Sequence, residues 1–231
     1  YLGLMGGHFI RVETPDGVVL RPVEEPTSDS FSVHRPDYVL TLDADSLLLP
    51  EYCLRLVYEL EQPGNERVAV IQTPYSAFRG APTRIERLAG ATTDLQHVLH
   101  QGLSRHGATF WVGANAIIRR EALEDIERTE VVHGVRVHRY VQDRTPIEDT
   151  ESSVDLVAHG WSLHNYPERL SYSATPSDFG SLVVQRRRWA NGGLLILPKF
   201  WMQSRERKSH GQRVRLLEMS LRANYMGSIA W

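Results

Sequence analysis

The sequence predicts an α/β fold built on a largely parallel sheet, and three observations predict it. Tyr38-Val-Leu-Thr-Leu42 and Val68-Ala-Val-Ile71 are runs of strand length, apolar apart from Thr41, as expected of parallel strands buried on both faces. A helical segment from Pro50 to about Leu60 separates them, giving the strand–helix–strand alternation that parallel pairing requires. An acidic pair, Asp43 and Asp45, follows the first strand directly, and ligands bind at the carboxyl ends of strands in open α/β sheets.

The remaining elements follow in order. Phe9–Val12 and Val18–Arg21 flank Pro15-Asp16-Gly17, a turn signal, and read as a hairpin. Residues 24–36 read as loop. Pro50 suits a first helical turn, and Pro63-Gly64-Asn65 ends that helix. A long helix is expected from about Thr83 to Ser104, then a strand from Thr109 to Ile118 broken at Gly113, then a helix from Arg119 to Arg128. Residues 129–146 carry no clear period. Glu148–His159 reads as a helix closed by Gly160, Trp161–Tyr166 as a strand, and Ser177 as the cap of a last major helix through Ala190.

Composition narrows the class of function. The chain has 231 residues, enough for one large domain with a substantial core. Its net charge is -2, from 26 basic and 28 acidic side chains, so no global basic field argues for nucleic acid. Positive charge is local instead, at Arg186–Arg188 and from Arg205 to Arg215. Cys53 is the only cysteine, which excludes an intrachain disulfide. No apolar run reaches the roughly 20 residues of a membrane helix, and no signal peptide is evident. The sequence starts without Met and stops within the apolar stretch Asn224–Trp231, where a truncated membrane helix is an expectation.

Three motifs carry chemistry. Asp43 and Asp45, one residue apart at a strand end, can share a hard divalent cation such as Mg²⁺ or Mn²⁺ that holds a diphosphate; alternatively they cap the next helix. Glu148-Asp149 opens a helix. Asp149 reads either as an N-cap or as a general base that takes a proton from a sugar hydroxyl, its proton affinity raised by burial and by Glu148 and Glu151. In Gln185-Arg-Arg-Arg-Trp189, helical spacing puts Gln185, Arg188 and Trp189 on one face. The guanidinium suits phosphate oxygens and the indole suits the flat apolar face of a sugar or another ring. His97 and His100, three apart on a helix, fall short of a metal shell and read as surface or packing residues. Trp111 and Trp161 read as core or pocket wall.

A strand followed by Asp-x-Asp also resembles the haloacid-dehalogenase phosphatases, with Asp43 as nucleophile. That family needs a lysine and a later acidic pair, whereas the only lysines here are Lys199 and Lys208. Taken in order, Tyr38–Asp45, Phe110–Arg120, Glu148-Asp149 and Gln185–Trp189 instead make the chain resemble the family 2 glycosyltransferases of the cellulose-synthase-like polysaccharide synthases, over roughly residues 36–200. Gly160-Trp161 and the segment from Pro167 to Phe179 are similar as well.

The resemblance implies a GT-A fold, a Rossmann-like mostly parallel sheet, on the cytoplasmic face of the cell membrane in a multi-pass protein. It implies inverting transfer of a hexose from a nucleotide sugar, commonly a UDP-hexose, to a growing glycan. Asp45 would bind Mg²⁺ or Mn²⁺, with Asp43 beside the donor, and Gln185 and Arg188 would bind its diphosphate. Asp149 would be the base, in an Ile-Glu-Asp version of the family's Thr-Glu-Asp motif. Trp189, Gly113, Asn115 and Glu148 would line the acceptor end. The resemblance also implies two βα units ahead of Tyr38, which residues 1–36 do not resemble, so a sheet incomplete at its N-terminus is expected. A non-catalytic fragment or scaffold lacking the nucleotide lobe is the alternative reading. The expected organisation is an N-terminal hairpin and linker over 1–36, a catalytic domain over 37–200, and a basic amphipathic interfacial segment over 201–231.

Overall fold

The computed structural model describes residues 6–15, 17–113, 115–132, 134–142 and 144–228. The chain divides into two compact units, Tyr1–Val39 and Leu40–Trp231. In the first, β1 (Gly7–Thr14) pairs antiparallel with both β2 (Gly17–Val23) and β3 (Ser30–Val33). The expected hairpin is present, and its Asp16 lies outside the described residues. The expected loop over 24–36 contains β3, drawn into register by the Phe9–Phe31 pair with ring centroids 6.0 Å apart. The described residues of this unit form no helix.

From Tyr38 onward, strands and helices follow one another along the described residues. β4 (Tyr38–Leu42) and β5 (Ser46–Leu48) precede α1 (Tyr52–Leu60). Next come β6 (Val68–Gln72), β7 (Tyr75–Ala77), α2 (Arg84–Ser104), β8 (Asn115–Arg119) and α3 (Arg120–Asp125). A hairpin of β9 (Arg128–Val132) and β10 (Val135–Arg139) fills the stretch that lacked a period. α4 (Glu148–Ala158), β11 (Ser162–Asn165), β12 (Ser171–Ser173), α5 (Phe179–Ser209) and α6 (Leu216–Ser228) complete the order.

The main sheet runs β11-β6-β8-β4. β11 is parallel to β6 and β8 is antiparallel to it, so the sheet is mixed. β6 is buried from Ala69 onward, whereas β4, expected to be covered on both faces, exposes Leu40 (39%) and Leu42 (46%) because it is an edge strand. A small sheet, β5-β12-β7, pairs β12 antiparallel with β5 and parallel with β7. This sheet sets Ser173, at the end of β12, opposite Ser46 at the start of β5 and Ala77 at the end of β7.

Some expected boundaries hold and others move, each for a physical reason. Pro50 precedes α1, whose N-cap is Glu51. Thr83 caps α2 with a reciprocal Thr83–Glu86 capping box. Asp178, not Ser177, caps α5 by accepting from the Ser181 amide. α5 runs 19 residues past Ala190, through Gly192, Gly193 and Pro198, to Ser209. Those glycines lie at close contacts: a Cβ on Gly192 would fall 2.5 Å from Ile147, and one on Gly193 would fall 2.6 Å from the Met226 carbonyl. The Arg205–Arg215 stretch is therefore not one helix. It spans the end of α5, the positive-φ Gly211, and the residues leading into α6. Residues 229–231, at the end of the proposed truncated membrane helix, lie outside the described residues.

The core joins α2, α4, α5 and α6 around Phe110, Val112, Ile147, Ile196, Phe200, Tyr225 and Met226. Trp111 and Trp161 are buried, with the Trp161 indole donating to Asp125. Burial places His97 and His100 in the packing, 2% and 0% exposed, and pushes their pKa values down to about 4 and about 3.

Candidate active site

The expected strand over 109–118 begins only at Asn115. Ahead of it, side chains replace the ladder. The Gln72 amide donates to the Phe110 carbonyl and accepts from the Val112 amide, at 2.9 and 3.0 Å. The Trp111 amide donates to Ser153 Oγ at 2.9 Å, and the Gly113 amide donates to Asp149 Oδ2 at 2.7 Å. This irregular segment thus carries a backbone donor to the carboxylate at the start of α4.

Asp149 is not the N-cap. Ile147 holds that place without a side-chain cap, and Asp149 is the second residue of α4. Its other oxygen accepts from the Thr150 amide at 2.5 Å. Burial pushes the Asp149 carboxyl up to about 6, assisted by Glu148 and opposed by the two backbone bonds. Ser153 Oγ also donates to the Asp149 carbonyl, so one hydroxyl joins the first turn of α4 to the Trp111 segment.

Across the cavity, the turn after β4 presents Asp43 and Asp45, with the Ser46 amide donating to the Asp43 carbonyl. Asp45 Oδ1 accepts from Ser173 Oγ at 3.2 Å. The Asp43 carboxyl is raised by partial burial, by Asp45 and by Glu148, while Arg188 opposes the rise. Four charged groups from three elements therefore sense one another at one site.

The cavity has a volume of about 320 Å³. It is lined by Asp43, Asp45, Gly113, Glu148, Asp149, Gln185, Arg188 and Trp189. Asn115 does not line it. That side chain is buried behind the wall, accepting from Tyr52 Oη at 2.7 Å and donating to Ser171 Oγ at 2.8 Å. Ala114 lies outside the described residues.

Sequence reasoning missed Tyr75, Thr93, Gln96, Ser173 and Tyr225, which also line the cavity. Gln96 Nε2 donates to Tyr225 Oη at 2.9 Å, and the Tyr225 ring stacks on Phe110 at 5.1 Å. Arg186 lies over the Trp189 ring, 4.6 Å from its centroid, and donates to Thr92 Oγ1, so the indole is braced from behind. The one available signal was Gly113. Its φ is +90°, and a Cβ there would meet the Tyr75 ring at 2.6 Å. Gly113→Ala is expected to lower stability by about 2–4 kcal/mol, through left-handed strain plus ring displacement. Urea unfolding measures the loss, and an unchanged midpoint would count against this close packing.

An acidic turn after a strand, a carboxylate at a helix start and an amide–guanidinium–indole set thus line one cavity on an α/β frame. The model of the Glycosyl transferase family group 2 matches residues 38–231, and the chain belongs to that family. The family and the mixed α/β architecture accord with the GT-A expectation. A cellulose synthase catalytic subunit [UDP-forming] of Komagataeibacter sucrofermentans is 26% identical over 165 residues, 69% of this chain and 20% of that protein. Glucans biosynthesis glucosyltransferase H of Caulobacter vibrioides is 30% identical over 167 residues, 70% of this chain and 24% of that protein. A probable glucomannan 4-beta-mannosyltransferase of Arabidopsis thaliana is 25% identical, covering 85% and 34%. The chain thus spans between a fifth and about a third of the length of these relatives. Among solved structures, the Pyrobaculum calidifontis mannosyltransferase PcManGT, in complex with GDP-Man and Mn²⁺, is similar at 17% identity and a TM-score of 0.47, covering 84% of this chain and 48% of that one.

Proposed function

We propose that the protein transfers a hexose, with inversion, from a nucleotide sugar to a growing glycan. The observation that carries the reading is the convergence of Asp43, Asp45, Asp149, Gln185, Arg188 and Trp189 on one cavity. A UDP-hexose donor is supported by the UDP-forming relative. In this reading Gln185 and Arg188 hold the donor diphosphate, while Trp189, Gly113 and Glu148 face the acceptor. Asp149 accepts the proton of the acceptor hydroxyl as its oxygen bonds to the anomeric carbon. The anomeric carbon–oxygen bond to the diphosphate breaks, its electron pair leaves with the diphosphate, and Arg188 neutralises charge gathering there.

The donor set fits a hard divalent cation. Asp43 and Asp45 offer only oxygen ligands, and the Asp43 carboxyl is raised by partial burial and then by Asp45 and Glu148, negative charge that a cation would offset. Among the described residues no group of three or more His, Cys, Asp or Glu could hold a metal by itself. Asp45 would therefore share Mg²⁺ or Mn²⁺ with diphosphate oxygens and water, the usual coordination for Mg²⁺. When bound, the ion supplies Lewis-acid stabilisation of the departing diphosphate.

No helix among the described residues is long and apolar enough to cross a membrane. The exposed Arg205, Lys208, Arg213 and Arg215 support a membrane-surface role for residues 201–231, beside a catalytic segment over 37–200 on the cytoplasmic face. Thermal unfolding tests donor binding. UDP with Mn²⁺ at 100 times its Kd is expected to stabilise the protein by about 2.7 kcal/mol. No shift with UDP, GDP or either plus Mn²⁺ would favour a scaffold that lacks nucleotide binding.

A further inference from the structure

Lys199 stands ten residues past Trp189 on α5, about 15 Å along the helix, and does not line the active-site cavity. Its ammonium donates to Glu151 Oε1 at 3.0 Å and to Asp155 Oδ2 at 2.6 Å. Those carboxylates lie one turn apart on α4, and each side chain is 3% exposed. Gln203, one turn beyond Lys199, donates to Asp155 Oδ1 at 2.6 Å. Arg128 approaches the same oxygen at 3.7 Å from a largely open position. The buried carboxylates therefore depend chiefly on Lys199 for compensation, and a buried charge stripped of its partner is strongly unfavourable.

The two helices joined here carry the two halves of the site. α4 opens with Glu148 and Asp149; α5 carries Gln185, Arg188 and Trp189. Near the cavity they touch through Gly192 against Ile147, a contact of shape alone. Directly before Lys199 sits Pro198, which cannot donate the helical bond to residue 194 and so removes a restraint from α5. The ion pair restores a restraint at the next residue.

We infer that Lys199 is a positioning residue: by clamping Glu151 and Asp155 it sets the spacing of α4 and α5, and with it the reach from Asp149 to Arg188 and Trp189. The inference rests on the glycosyl-transfer reading for its catalytic consequence but not for its geometry. In the full-length protein, Lys199→Met is expected to lower kcat about tenfold, with KM for the nucleotide sugar within about threefold, because misplacement harms the reacting geometry more than binding. Lys199→Arg is expected to recover most of the rate.

Because Lys199→Met strips two buried carboxylates of their chief cation, its Tm is expected to fall by roughly 10 °C. A triple variant, Lys199→Met with Glu151→Gln and Asp155→Asn, removes that charge and is expected to regain Tm but not kcat. Recovery of kcat along with Tm would overturn the inference, since the clamp would then serve folding alone. Nitroxide labels at His159→Cys and Val184→Cys, on a Cys53→Ser background, read the helix spacing directly. A broadened or shifted distance in Lys199→Met, restored in Lys199→Arg, is expected, and an unchanged distance would overturn it. Absence of turnover in the wild type with every nucleotide sugar would sink the glycosyl-transfer reading, while the distance measurement still decides the clamp.

Discussion

Asp149→Asn is expected to lower kcat by about 10²–10⁴-fold while changing Tm by only a few degrees. The separation follows from the physical position of the carboxyl. Its pKa in the folded chain is about 6, above the usual value near 3.9. The unfolded chain therefore loses this proton first as pH rises, and the native state alone retains it between about pH 4 and 6. Asp149 thus costs stability as pH rises through that window, approaching roughly 3 kcal/mol above it. Asn removes the charge and that cost. It can also accept only one of the two amide protons, from Gly113 and Thr150, that the carboxylate accepts, and an unmet buried donor costs about 1–3 kcal/mol. The two effects nearly offset. What does not offset is the chemistry, because an amide cannot take a proton from a sugar hydroxyl.

The same carboxyl gives the wild type a pH signature. A general base acts only when ionised, so kcat/KM is expected to fall as pH drops through about 6, well above the limb an ordinary aspartate would give. Initial rates from pH 5 to 8 measure it. Near-normal turnover in Asp149→Asn, or a wild-type limb near pH 4, would remove Asp149 from the base role.

How much of this could be read in advance depends on whether a contact is local. β6 and α2 were legible because an apolar run and a Thr83–Glu86 capping box act within a few residues of themselves. α4 was legible for its length, yet the Asp149 cap reading failed: the carboxylate reaches Gly113, 36 residues away, as well as its neighbour. α5 was cut short because glycine and proline normally break helices. Here Gly192 and Gly193 admit Ile147 and the Met226 backbone, and burial of Ile196 and Phe200 holds the helix on either side of Pro198. The strand expected from Thr109 dissolved because Gln72, Ser153 and Asp149 satisfy its amides one by one. Motif residues of the site were visible because charge and ring type declare their chemistry. Tyr225 was not, since it enters the cavity from α6 and meets Gln96 across 129 residues. Nothing near either residue in sequence signals that meeting.

Arg188→Ala is expected to lower kcat by about 10²–10³-fold, the usual loss when a preorganised donor to developing charge is removed. Arg188 lines the same cavity as Asp43, Asp45, Glu148 and Asp149, and it counters the rise of the Asp43 carboxyl, which burial, Asp45 and Glu148 promote. Removing it does two things at once. In the proposed role the departing diphosphate loses its guanidinium, and the acidic turn becomes more crowded with negative charge where a polyanionic donor would enter. KM for the nucleotide sugar is therefore expected to rise together with the loss in kcat, unlike Asp149→Asn, whose donor KM should hold. Arg188→Lys keeps the charge but not the planar fork that matches two phosphate oxygens, so it is expected to recover donor KM more fully than kcat. Steady-state kinetics of the three variants at fixed Mn²⁺ would separate the roles. If Arg188→Ala kept wild-type kcat and donor KM, the Gln185–Trp189 motif would have to be read as an acceptor platform built on Trp189, with the diphosphate held elsewhere.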